Sequence, residues 1–99
     1  MDAGDYYKRI HSECRHNEMA VQDSWFCGCF YCISTFHPTE VVDWLDEREY
    51  NPNSTAERTA VCPRCCIDSV LPRKEYYEIT DELLENMHAI FFTVPKTRF

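Results

Sequence analysis

A chain of 99 residues that is 44% hydrophobic, with two Trp, six Tyr and six Phe, can build one compact core and has no material for a second, so residues 1–99 are expected to form a single domain. Ten Lys and Arg against seventeen Asp and Glu leave a net charge of −7, which disfavours a general attraction to nucleic acid. The start MDAGDYYKRI lacks the basic and apolar regions of a signal peptide, and no apolar run approaches the ~20 residues of a membrane helix, so a cytoplasmic protein with reduced thiols is expected.

In chain order, Tyr6, Tyr7, Ile10 and Cys14 recur at helical spacing and predict an amphipathic helix from Asp5 to about Cys14. Asn17 is placed to cap a short helical turn over Glu18 to Asp23. Trp25 to Phe30 is aromatic and cysteine-rich, which suits a strand entering a metal knuckle. Pro38 fits the first position of a helix, where its missing N–H is not needed, and Glu40 complements the helix dipole there. That helix is expected to run to about Glu49, burying Val41, Trp44 and Leu45 and exposing an acidic face.

Asn51 to Ser54 reads as a loop, followed by two short strands, Thr59 to Cys62 and Ile67 to Leu71, joined at a second knuckle and stopped by Pro72. Asp68 and Ser69 read as the polar edge of the second strand. Thr80 can cap a last helix with Asp81 and Glu82 in its first turn, Leu83, Met87, Ile90 and Phe91 as its buried stripe, and Val94-Pro95 as its end. The expected class is α+β: a small zinc-knuckle domain, ribbon-like or treble-clef-like, with a short β-hairpin and about three helices.

Seven cysteines are many for this length and odd in number, which argues against a disulfide framework. Four of them form two C-x-x-C pairs, Cys29 with Cys32 and Cys62 with Cys65, separated by 29 residues. Two intervening residues let one tight turn aim two sulfurs at one ion, and four thiolates match the tetrahedral set of structural Zn²⁺; iron is the other metal such a set accepts. A thioredoxin-like redox pair would open a long helix at once, whereas here Pro38 starts a fresh one. Cys27 competes with Cys29 as a ligand because it points to the same side of an extended strand. Cys14 reads as a small buried residue, and Cys66 as a spare thiol where knuckles commonly use glycine. His11, His16, His37 and His88 read as ordinary packed or surface histidines.

The string Cys27-Gly28-Cys29-Phe30-Tyr31-Cys32, then Phe36, Pro38, Glu40, Trp44 and Asp46, then Thr59 to Cys65 and Ile67 to Val70, resembles a family of small bacterial proteins usually described only as cytoplasmic proteins. The likeness extends to Asn17 and Ser24 upstream and to Ile79, Thr80, Leu83, Met87 and Phe92 downstream. The family pattern has glycine where this chain has Cys66. The resemblance implies a cytoplasmic zinc-knuckle fold and carries no activity.

A closed four-thiolate site argues for architecture over catalysis, so no enzyme is expected and no catalytic residue is assigned. The five acids and one arginine of residues 38–49 suggest a protein-interaction module, as an adaptor, immunity-like protein or inhibitor, with a basic partner. Two alternatives stand beside it. One is a regulatory nucleic-acid-binding zinc module using Arg64, Arg73 and Lys74. The other is a treble-clef nuclease, which would need a His pair or acidic cluster beside the knuckles.

Overall fold

The computed structural model describes residues 3–92. Three α-helices are α1 (Ala3–His11), α2 (Glu18–Gln22) and α3 (Asp81–Phe92), and five short strands are β1 (Cys27–Cys29), β2 (Ser34–Phe36), β3 (Trp44–Leu45), β4 (Thr59–Ala60) and β5 (Val70–Leu71). The strands form two antiparallel sheets, one in the order β2-β1-β5 and one pairing β3 with β4. The class is therefore α+β, with the small-sheet and knuckle architecture expected. No helix among the described residues is long and apolar enough to cross a membrane.

Strand β1 organises the molecule because alternate residues point to opposite faces. Cys27 and Cys29 face one apolar cluster, with Val21, Phe36, Val41, Ala60, Cys62 and Val70. Gly28 faces the other: a Cβ built on it would lie 2.6 Å from Ile79 Cγ2 and 3.0 Å from a Leu84 methyl. This second cluster joins Ile10 and Cys14 to Phe30, Leu71, Tyr77, Ile79, Leu83, Leu84 and Met87. One strand thus divides a metal-side core from an aliphatic and aromatic one.

The first helix forms as its periodicity predicts, with its final turn tightened to 3-10 over Ser12–Cys14. Ile10 and Cys14 are buried while Tyr6 and Tyr7 pack at the edge. The last helix is capped by Thr80, whose Oγ1 accepts the Leu83 N–H at 3.1 Å. Its buried residues are Leu83, Leu84 and Met87; Ile90, expected in the buried stripe, is 50% exposed. Phe91 packs against that cluster only partly buried, and the expected stop at Val94-Pro95 lies outside the described residues.

Four expectations change. Residues 38–49 are not one helix: a 3-10 turn over Pro38–Glu40 is followed by β3 and a second 3-10 turn over Glu47–Glu49. The His37 side chain and Glu40 close a capping box around the first turn, after which Val41 is extended. Asp46 accepts the Arg48 N–H at 3.0 Å and starts the second turn afresh. β-Branched Val41 and Val42 and a backbone-bonding Asp46 favour this over a continued helix.

The two strands flanking the second C-x-x-C do not reach their expected lengths either, β4 covering Thr59–Ala60 and β5 Val70–Leu71; β4 pairs with β3, and β5 with β1. Nor does Asn17 cap α2. Its amide donates to the carbonyls of Glu13 (2.9 Å) and Val70 (3.0 Å), and its oxygen accepts the Ala60 N–H (3.0 Å), so one buried side chain ties the end of α1 to both sheets. Lastly, the acids of residues 38–49 do not line an unbroken face, since Glu40 pairs with Arg64, Asp46 with Arg48, and Glu47 with His16 and Ser54.

Candidate metal centre

Each C-x-x-C pair folds into the same local turn. In the first, the Ile33 N–H reaches the Cys29 carbonyl at 3.0 Å and the Tyr31 N–H reaches the Cys29 sulfur at 3.4 Å. In the second, the Cys66 N–H reaches the Cys62 carbonyl at 3.0 Å and the Arg64 N–H reaches the Cys62 sulfur at 3.3 Å. Both turns close with a left-handed residue directly after the second cysteine, Ile33 at φ 57° and Cys66 at φ 65°. That conformation favours glycine and is uncommon for a β-branched side chain.

The turns differ at their second residue. The Phe30 N–H bonds to the Ser69 carbonyl at 3.2 Å, whereas Pro63 has no N–H to place. Phe30 thereby anchors the first knuckle in the aromatic cluster, against Phe91 and Phe92.

The two turns face each other. The four sulfurs of Cys29, Cys32, Cys62 and Cys65 all lie within 4.8 Å of one another, with Cys29 Sγ 3.6 Å from Cys65 Sγ and Cys32 Sγ 3.7 Å from Cys62 Sγ. A tetrahedron with Zn–S bonds of ~2.3 Å has edges of about 3.8 Å, and a disulfide would need ~2.05 Å. The donors are arranged to hold a metal ion.

Burial pushes the Cys62 thiol up to about 11 and raises Cys65 as well. At Cys32 burial also pushes upward, but hydrogen bonds with Ser34 and the neighbouring sulfurs outweigh it and leave the thiol below the ordinary range. Ionising Cys62 and Cys65 in place therefore calls for a cation, and a divalent metal supplies that charge.

Cys27 stands apart. Two residues along a strand move a side chain by roughly 6.6 Å, and its sulfur lies 3.9 Å from the Val21 carbonyl under α2, outside the four-sulfur group. Cys14 is buried in the second cluster, and Cys66 is exposed.

The sequence reading missed two hydroxyls. Ser69, 1% exposed, places its Oγ 3.1 Å from Cys29 Sγ and is a partner of a candidate ligand rather than a strand edge. Ser34 stands 3.3 Å from Cys32 Sγ. The only signal in the sequence is their position, four and two residues after a C-x-x-C pair.

The histidines have other partners. His37 Nδ1 meets Thr39, His16 Nε2 meets Glu47 at 2.7 Å, His88 Nδ1 meets the Phe30 carbonyl, and the His11 ring lies 4.2 Å from that of Phe91. Arg64 bonds to Glu40 at 2.9 Å and Lys74 lies 3.8 Å from Glu13, so two of the three candidate nucleic-acid contacts are drawn into ion pairs. No family model, curated protein or solved structure gives a significant match to this chain.

Proposed function

We propose that this protein is a small zinc-stabilised, non-catalytic protein-interaction module of the cytoplasm. The observation that supports it is the gathering of four sulfurs within 4.8 Å of one another on two matching turns. Four protein thiolates fill the coordination of Zn²⁺ and leave no position for a substrate or an activated water. In this reading Cys29, Cys32, Cys62 and Cys65 hold the zinc. The ion then cross-links the β1 turn to the segment between β4 and β5, on the metal side of a small core.

The interaction role draws on what remains exposed. Trp25 (77%), Val42 (76%), Leu45 (52%) and Tyr50 (78%) present large apolar side chains to solvent, which a protein partner could cover. The acidic balance of the chain favours a basic partner.

Native mass spectrometry of the full chain should find one zinc per molecule, lost in Cys62→Ser and in Cys29→Ser but retained in Cys27→Ala. Retention of tight zinc in Cys29→Ser with loss in Cys27→Ala would reassign the ligand. Affinity capture from lysate should recover a protein with wild type and not with Cys62→Ser, Cys65→Ser. Substrate turnover by the pure protein with no captured partner would refute the module.

A further inference from the structure

We propose that the groove between residues 20–26 and residues 73–79 is the docking surface of this module and receives a basic, Arg- or Lys-bearing segment of a partner protein. This rests on the interaction reading above and gives it a place and a chemistry. The groove is about 930 Å³, within the size range of binding clefts. Its lining includes buried Ser24, Tyr77 and Ile79, together with Trp25 and Phe26, which are 77% and 39% exposed. Two adjacent exposed aromatics beside a buried apolar patch are the arrangement in which Trp becomes a binding anchor.

The groove is also held in shape before anything binds. Ser24 Oγ donates to the Ala20 carbonyl at 2.7 Å and accepts the Arg73 N–H at 2.9 Å, which stitches one wall to the other. The Tyr77 hydroxyl donates to the Pro72 carbonyl, and Lys74 bridges Tyr77 through the backbone. A preformed surface binds without first being ordered.

Charge selects the occupant. Asp23, Glu75 and Glu78 line the groove, and among the described residues none of their carboxylates has a hydrogen-bond or ion-pair partner. Of the two cations there, Lys74 is 3.8 Å from Glu13, which leaves Arg73 against three carboxylates. The excess is negative, beside two aromatic faces that attract cations. A cationic, partly apolar peptide satisfies both features, whereas an acidic peptide or a nucleic acid meets repulsion from the carboxylates.

The test is protein-detected NMR on the zinc-loaded full chain, following the indole N–H signals of Trp25 and Trp44 and, so that Trp25→Ala can be read as well, the backbone amides of Arg73 to Ile79 on the opposite wall. Three probes are titrated: a ten-residue peptide alternating Arg and Leu, the same peptide with Glu for Arg, and a ten-nucleotide oligo-dT. The Arg peptide should shift the Trp25 signal and leave Trp44 in place. Trp25→Ala and Glu75→Gln, Glu78→Gln should each weaken binding at least about fivefold, the scale of a lost cation contact. Asp43→Asn, Glu49→Gln makes the same charge change outside the groove and should weaken it less than about twofold.

Absence of binding, tighter binding of the Glu peptide or oligo-dT, or an equal loss from the remote charge pair would overturn the proposal. If the groove variants still capture the lysate partner, the docking site is elsewhere and the module reading stands. If wild type captures none, the module reading fails on its own evidence.

Discussion

Gly28 offers a stringent check on how tightly β1 sits between the two clusters. An alanine Cβ there would meet Ile79 Cγ2 at 2.6 Å and the Leu84 methyls at 3.0 and 3.2 Å, where apolar carbons prefer roughly 3.5–4.0 Å. The Leu84 methyls are side-chain ends that can rotate aside. The Ile79 γ2 methyl sits on a branched Cβ and moves only if its χ1 or its backbone moves. Overpacking of this kind costs about 1–3 kcal/mol.

Gly28 does not occupy a left-handed conformation, so alanine restricts the unfolded chain without backbone strain and recovers about 0.4–1 kcal/mol. The net loss is about 1–2 kcal/mol, which for a domain of this size lowers Tm by roughly 5–15 °C. Thermal unfolding followed by circular dichroism in excess zinc reads this directly. Zinc content should stay at one per chain, because Cys29 points to the other face. An unchanged Tm would show that the two clusters are not packed against β1 as described.

Asn17→Ala should destabilise by about 2–4 kcal/mol in urea unfolding, since it strands the buried Ala60 N–H and two carbonyls at once; a loss below about 1 kcal/mol would mean that water replaces the bridge. Ser69→Ala removes the buried hydroxyl from Cys29 and should weaken zinc binding about tenfold in chelator competition, with unchanged affinity counting against its role. Burial, then the Asp68 charge, pushes the Cys14 thiol up to about 11, so the folded state holds its proton more firmly than the unfolded chain. That contribution is complete below about pH 9 and declines as pH rises to about 11, by up to ~3 kcal/mol. Cys14→Ala should therefore show a flatter loss of stability over that window, and an identical slope would remove the assignment.

The parts of the fold legible in the residues are those closed within a few positions of chain. Both C-x-x-C turns are built from bonds to the second and fourth residues onward, the Thr80 cap reaches three residues, and α1 follows its own periodicity. The candidate ligands could be named for that reason. Cys27 and Cys29 share a face of β1, so spacing alone left both open; the tertiary placement of Cys27 under Val21 separates them.

Residues 38–49 carried the apolar spacing of a helix, yet Trp44 and Leu45 pair with Ala60 and Thr59, a partner no local pattern announces. Asn17 looked like a cap by position and became a bridge to residues 43 and 53 places away. Ser69 acquired its sulfur from 40 residues distant. Local hydrogen bonds and turn sterics therefore determined the two knuckles and the long helices. The meeting of those knuckles, the hydroxyls beside them and the groove between residues 20–26 and 73–79 depended on contacts that exist only once the chain has folded.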